Sequence, residues 1–353
     1  MREIAIDGTR IADDEPAYIV AEISANHGGD MARARAMVRT AQANGASAVK
    51  FQTRTPREVY SPAMFSARFD SPHAMAESYG LHREALEPTE TEWGELFAYC
   101  RKVGVTAFST PFDSRSADQL RDLDVPAFKI ASGDITNTPL IAQVAGYGKP
   151  VILSTGGSTM DDVVRAMVAA AGHNEQVALM QCSCIYPSPA DILNVRVLEK
   201  YHKWYPSIVV GLSCHHPDWI PGIAAYALGA RIFEFHYTND REWKGTDNAF
   251  SLTPSMLGDF RRALDTTREA LGSGDKFPDH RELAPAEERR KKLLWKTSLP
   301  AGHVVTFADL IPMCPGNGIP PYHASRLVGE TLAHDVSRYA DCEWLDVKAA
   351  VGD

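Results

Sequence analysis

Eight separated stretches of this chain end in side chains that bind anions, bind metals or carry protons. They read Ala21-Glu22-Ile23-Ser24-Ala25-Asn26-His27, Lys50-Phe51-Gln52-Thr53, Phe108-Ser109-Thr110-Pro111-Phe112-Asp113 and Lys129-Ile130-Ala131-Ser132-Gly133-Asp134. The other four are Ser154-Thr155-Gly156-Gly157, Gln181-Cys182-Ser183-Cys184-Ile185-Tyr186-Pro187, Ser213-Cys214-His215-His216 and Glu234-Phe235-His236-Tyr237-Thr238. One such ending carries little information; eight concentrate donors, carboxylates and imidazoles if the fold brings them to one mouth. Lys50 and Lys129 with a ring of Ser and Thr hydroxyls are what a small phosphorylated anion requires. Helix N-caps account for the serines but not for the lysines, and a buried lysine needs an anionic partner.

His215 and His236 offer imidazole nitrogens of the kind that suit a divalent transition metal, and few protein ligands leave positions for water and substrate. Glu22 then orients a water or binds the ion directly. The competing reading is a pair of histidines merely hydrogen-bonded in a polar pocket. His216 and His27 stay outside the ligand set, His27 as an anchor for its own loop. Asp134 and Asp247 are candidates for acid/base work or hydroxyl binding, although Asp247, within Gly245-Thr246-Asp247-Asn248, equally suits an Asx-turn. Tyr186 contacts a sugar hydroxyl or packs.

The elements that must position these residues are short apolar runs rich in β-branched residues: 18–23, 46–51, 105–109, 127–130, 150–154, 177–181, 208–212 and 230–235. Amphipathic segments with helical spacing, such as 31–44, 92–103 and 160–171, lie between most of them. Strands alternating with helices imply parallel pairing and right-handed crossovers. Eight such units in about 250 residues predict a closed (β/α)8 TIM barrel, whose chemistry sits at the C-terminal strand ends. The stretch 54–88 is a long insertion after the second strand, placed at that same end. After Leu271 the texture changes. Residues 1–277 are expected to form the catalytic barrel, polar and proline-containing 278–290 a linker, and 291–353 a small β-rich domain.

A chain of 353 residues exceeds what one core usually serves, in keeping with this division. A net charge of −9 argues against nucleic acid as a partner, because that affinity comes mostly from Lys and Arg. The N-terminus lacks signal-peptide features, and no stretch approaches the roughly 18 apolar residues of a membrane span. Six cysteines without a CxxC pair or disulfide-like spacing read as reduced thiols, hence a cytoplasmic protein.

Taken in order, AEISANHGG, AVKFQT, FSTPFD, KIASGD, LSTGGS, QCSCIYPSP, GLSCHH, EFHYT and PGNG resemble the sialic acid synthase (N-acetylneuraminate synthase) family over essentially the whole chain. The final segment is similar to that family's antifreeze-like (SAF) domain. The resemblance implies condensation of phosphoenolpyruvate with N-acetylmannosamine or a related aldehyde sugar, using Mn²⁺ or Mg²⁺. It implies metal ligation by His215 and His236, and phosphoenolpyruvate binding by Lys50, Thr110, Lys129, Ser132, Ser154, Ser183 and Ser213. Glu22 matches the family's essential acid, and Gln52, Asp134, Tyr186 and Asp247 match positions near the acceptor. It further implies a domain-swapped homodimer.

The departures fall mostly outside the phosphate-binding set. The family usually reads RPGxG in its last domain, and that Arg reaches the acceptor's N-acetyl group in a partner subunit. Cys314 stands there, and a thiol lacks the guanidinium's fork of donors. Cys214 replaces an acid, Phe235 a basic residue, and Cys184 a polar one. Phe235 should face the helices if His236 faces the mouth. These changes lead to the expectation of an acceptor other than N-acetylmannosamine. A metal-dependent aldolase or lyase, and a non-catalytic sugar-binding barrel, are the competing functions.

Overall fold

The computed structural model describes residues 2–348. The chain divides into two units, Met1–Gly272 and Ser273–Asp353. In the first unit, a hairpin of β1 (Glu3–Ile6) and β2 (Thr9–Ala12) precedes eight parallel strands. These are β3 (Tyr18–Glu22), β4 (Ala48–Thr53), β5 (Thr106–Pro111), β6 (Phe128–Ile130), β7 (Val151–Ser154), β8 (Val177–Gln181), β9 (Val209–Cys214) and β10 (Ile232–His236). They pair in chain order and close as β10 meets β3, with His236 opposite Glu22 and Glu22 opposite Lys50. All eight expected strands are present, shifted by up to two residues at their ends, where pattern is least informative.

The strands form because Val, Ile, Leu and Phe are covered on both faces, by the barrel interior and by the helices. All five residues of β3, β8 and β10 are buried. Several helices between strands start at side-chain caps. Thr89 and Thr159 make reciprocal capping boxes with Glu92 and Asp162, and Asp113 caps the helix Ser114–Asp122.

The hairpin is an addition to the sequence reading. Asp7 and Gly8 both have positive φ, 50° and 74°, the conformation a two-residue turn between right-twisted strands requires. Ile4, Ile6 and Ile11 join the barrel's apolar core. Thr106, at the start of β5, donates to Asp7 (3.0 Å), so the hairpin covers the N-terminal end and leaves the chemistry to the other.

The 54–88 insertion folds on itself through helices Pro56–Val59, Pro62–Ser66 and Tyr79–Glu84 and an aromatic cluster of Tyr60, Phe69, Tyr79 and His82.

The second unit has its own core, with Leu293, Trp295, Val305, Leu327 and Leu332 at its centre. Among the described residues its regular sheet is β11 (Lys292–Trp295) against β12 (Leu310–Met313). The β-rich expectation is therefore met mostly by isolated bridges, such as Leu299 with Val336. The stretch 278–290, expected as a linker, is largely the helix His280–Arg289. Asp279 accepts from the Arg281 amide, and that cap outweighs Pro285 in a segment dense with Glu and Arg.

Candidate active site

Side chains alternate across a strand, so residues two apart share a face. At the C-terminal mouth this parity turns Lys50 with Gln52, Ser213 with His215, and Glu234 with His236 into one small cavity of about 50 Å³. Glu22, Thr110, Lys129, Ser132, Ser154 and Tyr186 complete the polar wall with Phe112 and Cys182. The two lysines, two histidines and Glu22 and Glu234 are buried, although they lie far apart along the chain.

The ion pairs form a chain across the floor. The Lys50 ammonium contacts Glu22, donates to Thr110 Oγ1 (2.9 Å) and lies 3.8 Å from Glu234 Oε1. Lys129 donates to Ser154 Oγ (2.5 Å) and lies 3.5 Å from the same Glu234 oxygen, which also accepts from Ser213 Oγ (3.2 Å). Ser132 Oγ accepts from the Gly156 amide (2.9 Å), which leaves its own proton for another acceptor.

Burial disfavours charge, and neighbours decide which groups resist it. Burial lifts Glu22 to about 7, with Lys50 pulling against it and the charge of Glu234 adding to it. Burial alone would also raise Glu234, but Lys129 and Lys50, then His236 and the Ser213 hydroxyl, hold it down at about 2. Two carboxylates in one pocket thus divide into one reluctant to ionise and one firmly ionised. Burial lowers Lys129, with Glu234 opposing. Burial, followed by the nearby His236, lowers His215 to about 3, so that imidazole is neutral at ordinary pH.

The rings of His215 and His236 lie 5.3 Å apart. The His215 Nδ1 edge meets the Ser183 carbonyl at 2.7 Å, so a neutral ring places its proton there and keeps Nε2 as the acceptor. Tyr186 lies over His215 with ring centroids 3.9 Å apart. His236 Nδ1 stands 3.5 Å from Asp247, whose carboxylate accepts from Ser24 Oγ at 3.3 Å. Glu22 Oε1, Glu234 Oε2 and His236 Nδ1 are buried without a hydrogen-bond partner. Buried polar atoms are rarely left so, and three around one cavity mark a place for a polar ligand.

The NeuB family model matches residues 37–276, most of the barrel. The chain is a member of the NeuB family. It is 32% identical over 327 residues to the N-acetylneuraminate-9-phosphate synthase of Mus musculus, covering 92% of this chain and 91% of the relative. It is 29% identical over 338 residues to the N,N'-diacetyllegionaminic acid synthase of Legionella pneumophila, covering 94% and 95%. Among solved structures it resembles the N-acetylneuraminic acid (sialic acid) synthetase of Leptospira borgpetersenii, with a TM-score of 0.72 at 28% identity over 81% of this chain and 95% of that one. The resemblance to sialic acid synthases read from the sequence motifs stands.

In this NeuB-family barrel, eleven of the expected site residues line the mouth: Glu22, Lys50, Gln52, Thr110, Lys129, Ser132, Ser154, Tyr186, Ser213, His215 and His236. Four do not. The Ser183 hydroxyl is spent on the Ile192 carbonyl (3.1 Å), and the residue serves His215 through its backbone instead. Asp134 accepts from Asn137 (3.2 Å) in the turn after β6, outside the cavity wall. Asp247 stands behind His236, and it lies at the N-terminal boundary of the short helix Asn248–Phe250 without capping it. Cys314 is an exposed residue of the second unit.

None of the four departures from the family pattern lines the cavity. Phe235 packs on Phe260 (5.1 Å), as strand parity requires, and Cys214 is buried in the apolar core. The residue that sequence reasoning missed is Glu234. The strand parity that turns Phe235 outward turns Glu234 inward beside His236, a signal present in the sequence.

Proposed function

We propose that the chain joins phosphoenolpyruvate to an aldehyde sugar, giving a 2-keto-3-deoxy sugar acid and inorganic phosphate. The observation that carries this reading is the burial of Lys50 and Lys129 in one cavity with two imidazoles and two carboxylates. Family membership, and relatives named for making sialic and legionaminic acids, support it.

Lys50 and Lys129, with Thr110, Ser132, Ser154 and Ser213, hold the phosphate and carboxylate of phosphoenolpyruvate, while Ser183 acts through its carbonyl on His215. Those ammonium groups and hydroxyls fix the enol carbon against the aldehyde and balance the phosphate's charge, a combination of positioning and electrostatics. Carbon 3 attacks the aldehyde carbon, whose oxygen takes a proton from solvent water as the new bond forms. Water adds at carbon 2 and gives a proton to Glu22. The C2–O bond to phosphate then breaks as the new hydroxyl gives its proton to the departing phosphate, which leaves the ketone, and Glu22 returns its proton to solvent. Gln52 and Tyr186 face the acceptor end, while Asp247 acts from behind His236 and Asp134 stays in its turn outside the wall.

The donor set fits a divalent cation. Among the described residues no three His, Cys, Asp or Glu side chains form a ready-made cage; His215 and His236 would be the protein ligands, with water or substrate completing the set. Mn²⁺ or Mg²⁺ held there supplies Lewis-acid polarisation of the aldehyde.

The acceptor differs from N-acetylmannosamine in this reading, because Cys314 offers no donor fork. The same reading makes the second unit an antifreeze-like domain and the assembly a domain-swapped homodimer that presents Cys314 to its partner. All six cysteines are free, which supports a cytoplasmic setting, and no helix of the described residues is long and apolar enough to cross a membrane. Phosphate release from phosphoenolpyruvate with Mn²⁺ and a panel of aldoses tests the assignment. Aldose-dependent release of one phosphate per phosphoenolpyruvate supports it; no release with any aldose overturns it. Strong preference for N-acetylmannosamine overturns the altered acceptor alone.

A further inference from the structure

Behind the acceptor end of the cavity lies a group that the reaction scheme leaves unused. Arg54, two residues beyond Gln52 and at the root of the 54–88 insertion, is buried. Its Nη2 donates to Gln52 Oε1 (2.5 Å) and its Nη1 to Glu87 Oε1 (3.3 Å). The backbone amide of Arg54 donates to Glu87 Oε2 (3.2 Å), so Glu87 grips both the side chain and the strand end that carries it. The guanidinium lies 4.2 Å above the ring of Phe112, which lines the cavity with Gln52.

The chemistry of this contact has one orientation. A guanidinium has donors only, so the amide atom it meets is the Gln52 carbonyl oxygen. The Gln52 NH₂ is therefore the end left to the cavity, where it can donate but not accept. An unrestrained glutamine flips and serves a donor or an acceptor equally well; a clamped one discriminates between them.

We propose that Arg54, held by Glu87, is a positioning residue that locks Gln52 with its NH₂ toward the cavity and so selects an acceptor sugar that presents a hydrogen-bond-accepting oxygen there. The proposal rests on the synthase reading above and adds a specificity determinant to it. The insertion after β4 thereby reaches the acceptor without touching it.

Steady-state kinetics of the full chain test it through the separate KM values for phosphoenolpyruvate and acceptor. Removing Arg54 alone strands Glu87, so the variant used is Arg54→Met with Glu87→Gln. It raises the acceptor KM about tenfold and leaves the phosphoenolpyruvate KM within about twofold, as loss of one restrained hydrogen bond predicts. Gln52→Glu keeps the Arg54 contact but removes the donor, and it gives the same split with an unchanged thermal midpoint. In a Gln52→Ala background the Arg54/Glu87 change adds nothing to the acceptor KM. Additive effects in that cycle, or equal rises in both KM values, overturn the positioning role while wild-type turnover keeps the synthase reading intact. Absence of phosphoenolpyruvate-dependent turnover in the wild type overturns both.

Discussion

Glu22 and Glu234 share a pocket and two lysines, and the different environments of the two carboxyls assign their tasks. Glu234 is held ionised by Lys129 and Lys50 and fixes where those ammonium groups stand. Glu22, lifted to about 7, suits the proton from the attacking water. Glu22→Ala is expected to lower kcat by about 10²- to 10⁴-fold with the thermal midpoint nearly unchanged, since Lys50 keeps Glu234 as a neighbour; full turnover in that variant ends the base role. The wild-type rate should rise with pH through about 7 as Glu22 loses its proton. A rising limb near the ordinary glutamate value instead takes the role from Glu22.

Burial, aided by Arg33, depresses His27 from 6.5 to about 4. A depressed imidazole stabilises the fold above the unfolded value and loses that contribution as pH falls, because the unfolded chain then binds the extra proton. Wild type should lose urea resistance relative to His27→Gln between pH 6.5 and about 4; parallel curves refute the assignment.

At the scale of elements, parity does most of the positioning, and close backbone approach does the rest. A Cβ built on Gly211 in β9 would meet the Ile232 carbonyl oxygen of β10 at 2.4 Å, which side-chain rotation does not relieve. Gly211→Ala should therefore strain the seam beside Ser213 and His215, destabilising by about 1–3 kcal/mol. Chemical denaturation measures this, and an unchanged midpoint shows that the strands slide apart freely. The hairpin over the opposite end was legible as Asp7-Gly8 between alternating apolar residues. Two strands of only four residues each carry a weak pattern. The helix His280–Arg289 was obscured by Pro285, a residue that usually argues against one.

For the whole molecule, the separate cores of the two units have consequences that can be measured. A chain ending at Gly272 keeps the apolar cluster of the barrel and should unfold cooperatively, as followed by circular dichroism. If the second unit serves a neighbour's site, the full chain runs at the mass of two chains in light scattering, and truncation raises the acceptor KM. A monomer with unaltered kinetics rules out the exchanged arrangement.

The strand count, the parallel order and most of the mouth residues were determined by the sequence alone, because apolar runs, alternation and polar strand ends are local properties that survive without coordinates. What the tertiary structure decided was which groups lie within bonding distance. Ser183 lost its hydroxyl to Ile192, Glu234 became the anion shared by two lysines, and Arg54 came to rest between Gln52 and Glu87. The Glu87 and Glu234 partnerships join residues tens to hundreds of positions apart, and even the near ones depend on how loops and side chains turn. Electrostatic and hydrogen-bond energies change steeply over bonding distances, and residue spacing along the chain carries no record of them.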